Sequence, residues 1–383
     1  MPLAPVNDNG VSLYYNDTGV PPGSPAYTTL AFIHGGLFNG GVFQRVASNA
    51  ARNNLRVVSV NHRDVLPSTA FTFEGLQVFK TDDQTVHEAW FHDRLLEWVN
   101  FLAYFVEKEN IPIYDERKGT GGLSIMSWSL GNNYTIPLLG SIDTSFPSDK
   151  TDFLAKYIRS FVLFDLPYYA IGESEPSYEV LYNPLSDPSF SFDTLTTTFL
   201  PWMTGYFTHS TKIISSFSPT ATPDSIPSRE EILKQGLLST VPDSEPSPTQ
   251  DRIPPETAKS MTSSSGKESE RDPSDPFPFI TNLSREMYRS FSDRAFSTGP
   301  KTNENLKLIW PKVRVNVLVC ERSMAMCIHA NLELKRRIWE AERDGWRVPG
   351  EAREVRFWLL EGYNHHPHWE EPEKFTKFVA GIL

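Results

Sequence analysis

The hydrophobic positions of this chain fall into short apolar runs separated by polar or amphipathic stretches. Six of these runs are typical of strands buried on both faces. They are TTLAFIHGG (28–36), LRVVSVNHR (55–63), GGLSIMSW (121–128), YIRSFVLFD (157–165), VRVNVLVCE (313–321) and EVRFWLLEG (354–362). Near the start, VSLYYNDTG follows the dipeptide Asn9-Gly10, which favours a tight hairpin turn. The pattern therefore predicts a sheet that opens with a short edge hairpin.

The stretches between these runs predict helices. The clearest extends from Asp82-Asp83 to about Asn110, because the aspartates suit a helix N-terminus and Trp90, Leu95 and Trp98 recur at helical spacing. Shorter helices are predicted at 41–53, from Leu130, at 328–344 and after Pro372. Strands that alternate with helices predict an α/β fold, with a parallel sheet covered by helices on both faces.

One long stretch interrupts this alternation between Asp165 and Val313, where no buried strand is predicted. Within it, residues 217–278 contain 11 of the 30 prolines and many serines, a composition that predicts a largely disordered loop. The aromatic-rich pieces at 196–207 and 277–291 predict helices of a cap, although a simple surface insertion is the alternative. We therefore expect a core formed by residues 1–170 and 301–383 and a cap insertion at 171–300.

Composition and charge narrow the choice of partner and location. The chain has 383 residues and a formal net charge of −11, which argues against nucleic acid or an anionic membrane as the main partner. Its two cysteines, Cys320 and Cys327, are too few for a disulfide framework and are expected to pack in the core. No signal-peptide pattern and no apolar run long enough to span a membrane are found. A cytoplasmic protein acting on a small molecule is expected, while its oligomeric state is left open.

The segment Ser127-Trp128-Ser129-Leu130-Gly131 follows an apolar run and precedes a predicted helix. This context is typical of a nucleophile elbow, a sharp turn that exposes the hydroxyl of its middle serine. Small residues two positions before and after the nucleophile let the strand and the helix approach each other, and Ser127 is small enough for that role. The amide of Leu130 then points to where an oxyanion would form. The alternative is a chance match in a buried strand.

Two further segments favour the nucleophile. His34-Gly35-Gly36 follows the first buried run, and the Gly36 amide is a second candidate oxyanion donor. The segment GYNHHPHW (362–369) follows the last run and offers histidines that can accept a proton from a serine. Three histidines in one loop also suggest a metal, but no second cluster of ligating residues with suitable spacing supports that hypothesis. Neither a metal nor a cofactor is therefore expected.

Taken together, these segments resemble the α/β-hydrolase superfamily, and the resemblance covers nearly everything outside 171–300. It implies a mostly parallel eight-stranded sheet with helices on both faces and an inserted helical cap. The string GYNHHPHWEEPEKF is similar to the usual ending of the family, and this match implies that the catalytic base is His365. By the same match, His366 and His368 would be packing or pocket residues.

The catalytic acid is the point where the sequence departs from the family. The family usually places an aspartate after the next-to-last strand, but here Cys320-Glu321-Arg322 is followed by Ser323. A serine cannot stabilise an imidazolium as a carboxylate does. Three alternatives stay open: Asp165 at the end of the preceding strand, as in some members of the superfamily, Glu321, or no acid at all.

The sequence favours a serine hydrolase that cleaves an ester, thioester or lactone of a medium-sized apolar substrate, a carboxylic ester hydrolase of class EC 3.1. Ser129, His365 and Asp165 would form the catalytic triad, and the Gly36 and Leu130 amides the oxyanion hole. The ERS string, Cys327 and SWSLGN are also similar to a fungal branch of the superfamily associated with the biosynthesis of toxins and other secondary metabolites. The alternatives are a cyclase, lyase or acyltransferase that uses the same pocket, and a ligand-binding protein without catalytic activity.

Overall fold

The computed structural model describes residues 2–177, 180–187, 190, 194–218, 220–222, 225–234, 241–262, 283–300 and 306–383. Eight strands form a single sheet in the order β1-β2-β4-β3-β5-β6-β7-β8. Their bounds are β1 Leu3–Pro5, β2 Ser12–Asp17, β3 Thr28–Ile33, β4 Leu55–Val60, β5 Leu123–Trp128, β6 Ile158–Phe164, β7 Arg314–Cys320 and β8 Val355–Leu360. The β1–β2 and β2–β4 pairs are antiparallel and the other pairs are parallel. The predicted mostly parallel eight-stranded sheet of an α/β-hydrolase fold is thus confirmed.

Helices connect and cover these strands. The α-helices are α1 Gln44–Ala50, α2 Phe73–Leu76, α3 Gln84–Glu109, α4 Asn132–Leu139, α5 Ser148–Ala155, α6 Leu200–Met203, α7 Thr211–Ser215, α8 Arg229–Lys234, α9 Pro255–Met261, α10 Arg285–Phe296, α11 Ala325–Arg343, α12 Pro367–Glu370 and α13 Pro372–Ile382. Short 3-10 turns lie at Gly40–Phe43, Ala51–Asn53, Gln77–Lys80, Ser129–Gly131, Asp143–Ser145, Tyr168–Ile171, Pro184–Ser186 and Thr249–Arg252, and a π-helical turn lies at Leu195–Phe199.

The longest helix illustrates how local sequence sets the boundaries. Asp83 caps α3 by accepting a hydrogen bond from the Thr85 amide at 2.9 Å, and Asn110 ends the helix in a left-handed conformation with φ of 45°. Every residue of β3, β4 and β5 is buried, as expected for strands that are covered on both faces. These three strands form the middle of the sheet, and their carboxyl ends open towards one edge.

Part of the stretch that composition predicts to be disordered packs against the core. In residues 241–262, Thr249 and Met261 are buried, and the Asn39 amide donates to the Met261 carbonyl at 2.8 Å. Composition does not reveal this packing, because a few buried side chains and hydrogen bonds to distant residues hold the segment in place. The prediction for 263–278 lies outside the described residues. Within the described ranges, no helix combines the length and the apolar character needed to cross a membrane.

Candidate active site

The turn after β5 has the geometry of a nucleophile elbow. Ser129 has a φ of 52°, in the left-handed region that a residue with a side chain seldom adopts. Gly131 follows two residues later, where a Cβ atom would lie 2.7 Å from the Ile33 carbonyl oxygen. Glycine at this position therefore lets the start of α4 pass close to the end of β3, and the hydroxyl of Ser129 is left at the carboxyl edge of the sheet.

Ser127 does more at this turn than fill a small space. Its hydroxyl donates to Asn132 Oδ1 at 2.8 Å, and the Asn132 amide donates to the Ser129 carbonyl at 2.7 Å. Both Ser127 and Asn132 are completely buried. The Asn132 side chain thus links Ser127 to the Ser129 carbonyl, and these buried polar groups are all hydrogen-bonded. The serine in place of the first glycine therefore forms part of a polar clamp across the elbow.

The structure brings Asp165 and His365 together although 200 residues separate them in the chain. His365 Nδ1 donates to Asp165 Oδ2 at 2.5 Å, and both side chains have no exposed surface. Asp165 follows β6 with a φ of 48°, and its Oδ1 accepts the Cys320 amide at 3.3 Å. A carboxylate can only accept here, so it holds the imidazole in the tautomer that leaves Nε2 free to take a proton.

Ser323, at the position where the family usually has its acid, contacts the same carboxylate oxygen. Its hydroxyl donates to Asp165 Oδ2 at 2.5 Å and lies 3.5 Å from His365 Nδ1. The other candidate acid is occupied elsewhere, since Glu321 Oε2 accepts the Gly362 amide at 2.6 Å. Of the two carboxylates considered from sequence, Asp165 is the one in contact with the imidazole.

The hydrogen bond that would join His365 to Ser129 is not formed in this structure. His365 Nε2 is buried and has no hydrogen-bond partner among the described residues, so its bond to the Ser129 hydroxyl is not formed. The histidine nevertheless lies beside the elbow, because Trp128 Nε1 donates to the His365 carbonyl at 3.1 Å and the two rings lie 4.9 Å apart. Catalytic hydrogen bonds are often long without substrate and tighten in the complex.

His366 and His368 pack on the buried face of the elbow. Their rings lie 5.0 and 4.6 Å from the Trp128 ring, and both side chains are buried. Burial lowers the pKa of each well below its usual value, so both stay neutral near pH 7. This packing agrees with the role that the family resemblance implies for them.

A pair of buried histidines fixes the turn after β3. His34 Nδ1 donates to the Gly35 carbonyl at 2.8 Å, and His34 Nε2 accepts the His62 amide at 3.1 Å. His62 Nε2 in turn donates to the His34 carbonyl at 2.6 Å. With two carbonyls of the turn bound in this way, Gly36 lines the same cavity as Ser129 and Leu130. The two residues whose amides are predicted from sequence to bind an oxyanion therefore line the same cavity as the serine.

We expect this histidine pair to make the protein less stable in mild acid. Burial lowers the pKa of His62 to about 4 and that of His34 well below its usual value, whereas both titrate near 6.5 when unfolded. Between pH 6.5 and 4 the unfolded chain therefore binds more protons than the folded protein does. The contribution of the two histidines to the free energy of unfolding is complete above pH 6.5 and is lost as the pH falls towards 4. For His62 alone the loss amounts to about 3 kcal/mol.

Thermal unfolding between pH 7.5 and 4.5 measures this effect as a falling midpoint. His62→Gln should flatten the profile, whereas His92→Gln should not, because the His92 side chain is 45% exposed. A midpoint that stays constant from pH 7 to 5 in the unaltered protein would contradict the prediction.

A cavity of about 750 Å³ opens above Ser129. Its inner wall is mainly apolar and contains several sulfur-bearing and aromatic side chains, whereas polar side chains gather at the exposed mouth. The inner wall contains Leu130, Tyr168, Tyr169, Phe199, Trp202, Met203, Met324, Met326 and Cys327, and the mouth contains Glu175, Arg285 and Glu286. Apolar walls with a few polar groups are typical of small-molecule sites.

Cys327 raises the question of a metal, because its Sγ lies within 4.8 Å of ligand atoms of Asp165 and His365. The arrangement fits a metal poorly. Asp165 Oδ2 and His365 Nδ1 already share a hydrogen bond, and burial raises the pKa of the Cys327 thiol well above its usual value, which disfavours the thiolate that metals bind. The three groups fit a proton relay with a neutral thiol beside it.

Several residues that support the site were not singled out from sequence. Asn132, His62 and Thr249 are buried polar side chains that hydrogen-bond to the elbow, the HGG turn and the histidine loop, respectively. A single sequence shows residue types but not which distant chain segments meet. Asn132 offered one signal, because it lies just after the elbow at a position expected to be buried.

Comparisons with known proteins concern the fold. No family model matches the sequence, and no curated protein matches it. Among solved structures, a bromoperoxidase from Bacillus anthracis is 12% identical with a TM-score of 0.48, over 99% of this chain and 97% of that one. A carboxylesterase of Nitrososphaera gargenis is 11% identical with a TM-score of 0.39, over 100% and 97% of the two chains. A mutant epoxide hydrolase from Solanum tuberosum is 14% identical with a TM-score of 0.44, over 100% and 98%.

These likenesses are distant and assign no activity. The chain is similar in fold to proteins that differ in activity, so only its own site can indicate its chemistry.

Proposed function

We propose that this protein is a serine hydrolase that cleaves an ester, thioester or lactone of a medium-sized apolar substrate through an acyl-enzyme. The observation that carries the proposal is the hydrogen bond between His365 Nδ1 and the buried Asp165, beside a strained Ser129 at the base of a cavity. A strained turn and a buried carboxylate–imidazole pair are each costly or uncommon, and their meeting beside a mainly apolar cavity at one sheet edge supports serine acyl transfer.

In the proposed reaction, Ser129 Oγ attacks the carbonyl carbon of the substrate while His365 Nε2 takes the hydroxyl proton. The negative charge on the tetrahedral oxygen is stabilised by the amides of Gly36 and Leu130, the latter at the start of a helical segment whose amides point outward. The C–O or C–S bond then breaks, and the imidazolium returns its proton to the leaving group.

The second half repeats these steps with water. His365 Nε2 deprotonates a water molecule that attacks the acyl carbon, and the acid is released when Ser129 regains its proton. Asp165 stays ionised throughout and stabilises the imidazolium each time it forms. No other group is needed for the atoms and charges of either half to balance.

The cavity supports an acyl group of moderate size. Its inner wall offers apolar and aromatic surface next to Ser129, and each methylene buried there is worth about 0.8 kcal/mol, or roughly fourfold in kcat/KM. We therefore expect kcat/KM for p-nitrophenyl esters to rise from acetate to about hexanoate or octanoate and then to fall for palmitate. Steady-state kinetics over this series measures the profile.

Trp202 provides the matched test of that profile. It lines the inner wall and is 2% exposed, so Trp202→Ala should move the optimum to longer acyl chains. Trp346→Ala is the control, because Trp346 is 38% exposed and lies outside this cavity. A profile that is flat in the unaltered protein, or that moves equally in both variants, would show that this cavity does not hold the acyl group.

The class of chemistry is tested by covalent labelling. A fluorophosphonate should label the unaltered protein once per chain, and peptide mapping should place the label on Ser129. If neither labelling nor ester hydrolysis occurs in the unaltered protein, the proposal is wrong. If labelling occurs but candidate substrates give products that contain no added water, the site performs acyl transfer, cyclisation or elimination instead.

The proposal includes a biosynthetic setting. It rests on the likeness of the ERS string and SWSLGN to fungal proteins associated with toxin and secondary-metabolite biosynthesis. Two free cysteines, both buried, support a reducing cytoplasmic location. Deletion of the gene with comparison of metabolite extracts would identify an accumulating ester or lactone.

A further inference from the structure

The inserted segment contacts the loop that carries the candidate catalytic histidine. We define the strap as residues 204–209 and 243–252 of the insertion, and the histidine loop as residues 362–370. Both contain buried polar side chains that hydrogen-bond to each other across more than 100 residues of chain. The strap is thus in direct contact with the histidine loop.

Asn364, which immediately precedes His365, is the first point of contact. Its side-chain amide donates to the Thr204 carbonyl at 2.7 Å and to the Thr249 hydroxyl at 2.8 Å. Its Oδ1 accepts the amide of His366 at 2.9 Å. Asn364 is fully buried, and both of its N–H groups are directed to the strap. The Asn364 side chain therefore bonds to the strap through its N–H groups and to the amide that follows His365 through its oxygen.

Thr249 connects this contact to the far end of the loop. Its hydroxyl accepts from Asn364 and donates to Glu370, which also accepts from Arg252 at 2.7 Å. Thr249 is fully buried, and Glu370 is 12% exposed. One hydroxyl thus joins residue 364 to residue 370, with His365 between them.

The strap also contacts the loop that carries Ser323. His209 Nε2 donates to the Ser323 carbonyl at 2.6 Å, and the Phe207 amide donates to the Arg322 carbonyl at 3.0 Å. Both residues that bond to Asp165 Oδ2, Ser323 and His365, therefore lie in loops that the insertion holds in place.

From these contacts we infer that the strap positions His365 for catalysis, with Thr249 and Asn364 as positioning residues. This inference rests on the proposed hydrolase function. Removal of the Thr249 hydroxyl leaves a buried amide and a buried carboxylate each without one partner, which loosens the histidine loop. No strap residue lines the apolar inner wall of the cavity. Loosening the histidine loop should therefore lower kcat and leave KM nearly unchanged.

The test compares three variants, each with a small change to one threonine side chain. Thr249→Val removes the hydroxyl with little change in shape, whereas Thr249→Ser keeps the hydroxyl. Thr262→Val is the control, because the exposed Thr262 lies in the insertion but outside the strap, and its hydroxyl bonds to the Ala258 carbonyl within α9 at 2.7 Å. We expect kcat to fall about 10- to 30-fold in Thr249→Val, with KM within twofold, and to stay within about threefold in the other two.

Amide hydrogen exchange gives a readout that does not depend on activity. Exchange across 362–370 should increase in Thr249→Val but not in Thr249→Ser or Thr262→Val, at a temperature where all are folded. Unchanged exchange in Thr249→Val would overturn the inference, and so would faster exchange with unchanged kcat. If the unaltered protein hydrolyses no ester and takes no label, the hydrolase proposal fails, while exchange still decides whether the strap holds the loop.

Discussion

Ser129→Ala is expected to lower kcat/KM for the best p-nitrophenyl ester by roughly 10⁴–10⁶-fold and to abolish fluorophosphonate labelling. Alanine removes the atom that would form the acyl-enzyme but tolerates the turn about as well as serine, so the fold should persist. The residual rate should reflect only the oxyanion donors and substrate binding. Stopped assays with milligram amounts of protein can measure such a small remainder.

The control is Ser48→Ala, at an exposed serine whose hydroxyl bonds to the Gln44 carbonyl within α1. It should keep full activity and labelling. If Ser129→Ala retains more than about a tenth of the activity while its thermal midpoint is unchanged, another residue is the nucleophile and the proposed mechanism is wrong.

Asp165 variants should show the second largest loss, about 10⁴-fold in kcat for Asp165→Asn. The carboxylate accepts from His365 Nδ1 at 2.5 Å, and an amide there can donate instead and favour the wrong imidazole tautomer. Glu321→Gln is the matched control, because its amide oxygen can still accept the Gly362 amide that Glu321 binds at 2.6 Å. A loss in the Glu321 variant that equals the Asp165 loss would contradict the assignment of the acid.

The neighbouring serine allows a stricter form of the same prediction. Ser323 Oγ lies 3.5 Å from His365 Nδ1, and an aspartate there would extend further towards the ring. In an Asp165→Ser background, Ser323→Asp should therefore restore kcat at least about tenfold, since a carboxylate again faces the imidazole. Ser323→Asn in the same background has the same shape without the charge and should restore nothing. Equal recovery by both would show that shape and not charge is responsible.

Much of the fold was predictable because its signals are local. The apolar runs gave the strands of the sheet, and α3 begins after Asp83 and ends before Asn110, close to the predicted limits. Buried parallel strands and capped amphipathic helices leave strong patterns in a single sequence. Composition did not predict the packing of residues 241–262 against the core, because their few buried groups are held by distant partners.

The candidate site divides in the same way. Ser129 and His365 stand in short motifs and could be named from sequence, and both lie at the expected edge of the sheet. The contact between Asp165 and His365 depends on the order of the strands and on the loops after β6 and β8, so sequence left three alternatives. The clamp between Ser127 and Asn132 was not predicted, because the small size of Ser127 alone explained why a serine can replace the first glycine.

The strap has a practical consequence for protein engineering. An insertion between two strands of a sheet can be exchanged between proteins to change substrate selectivity. Here a graft that replaced residues 171–300 would also remove the partners of Asn364 and Glu370, so the chimaera would lose turnover along with its old selectivity. Grafts that keep 204–209 and 243–252 and vary only the cavity-facing residues around Phe199, Trp202 and Leu283 offer a route to new selectivity at preserved speed.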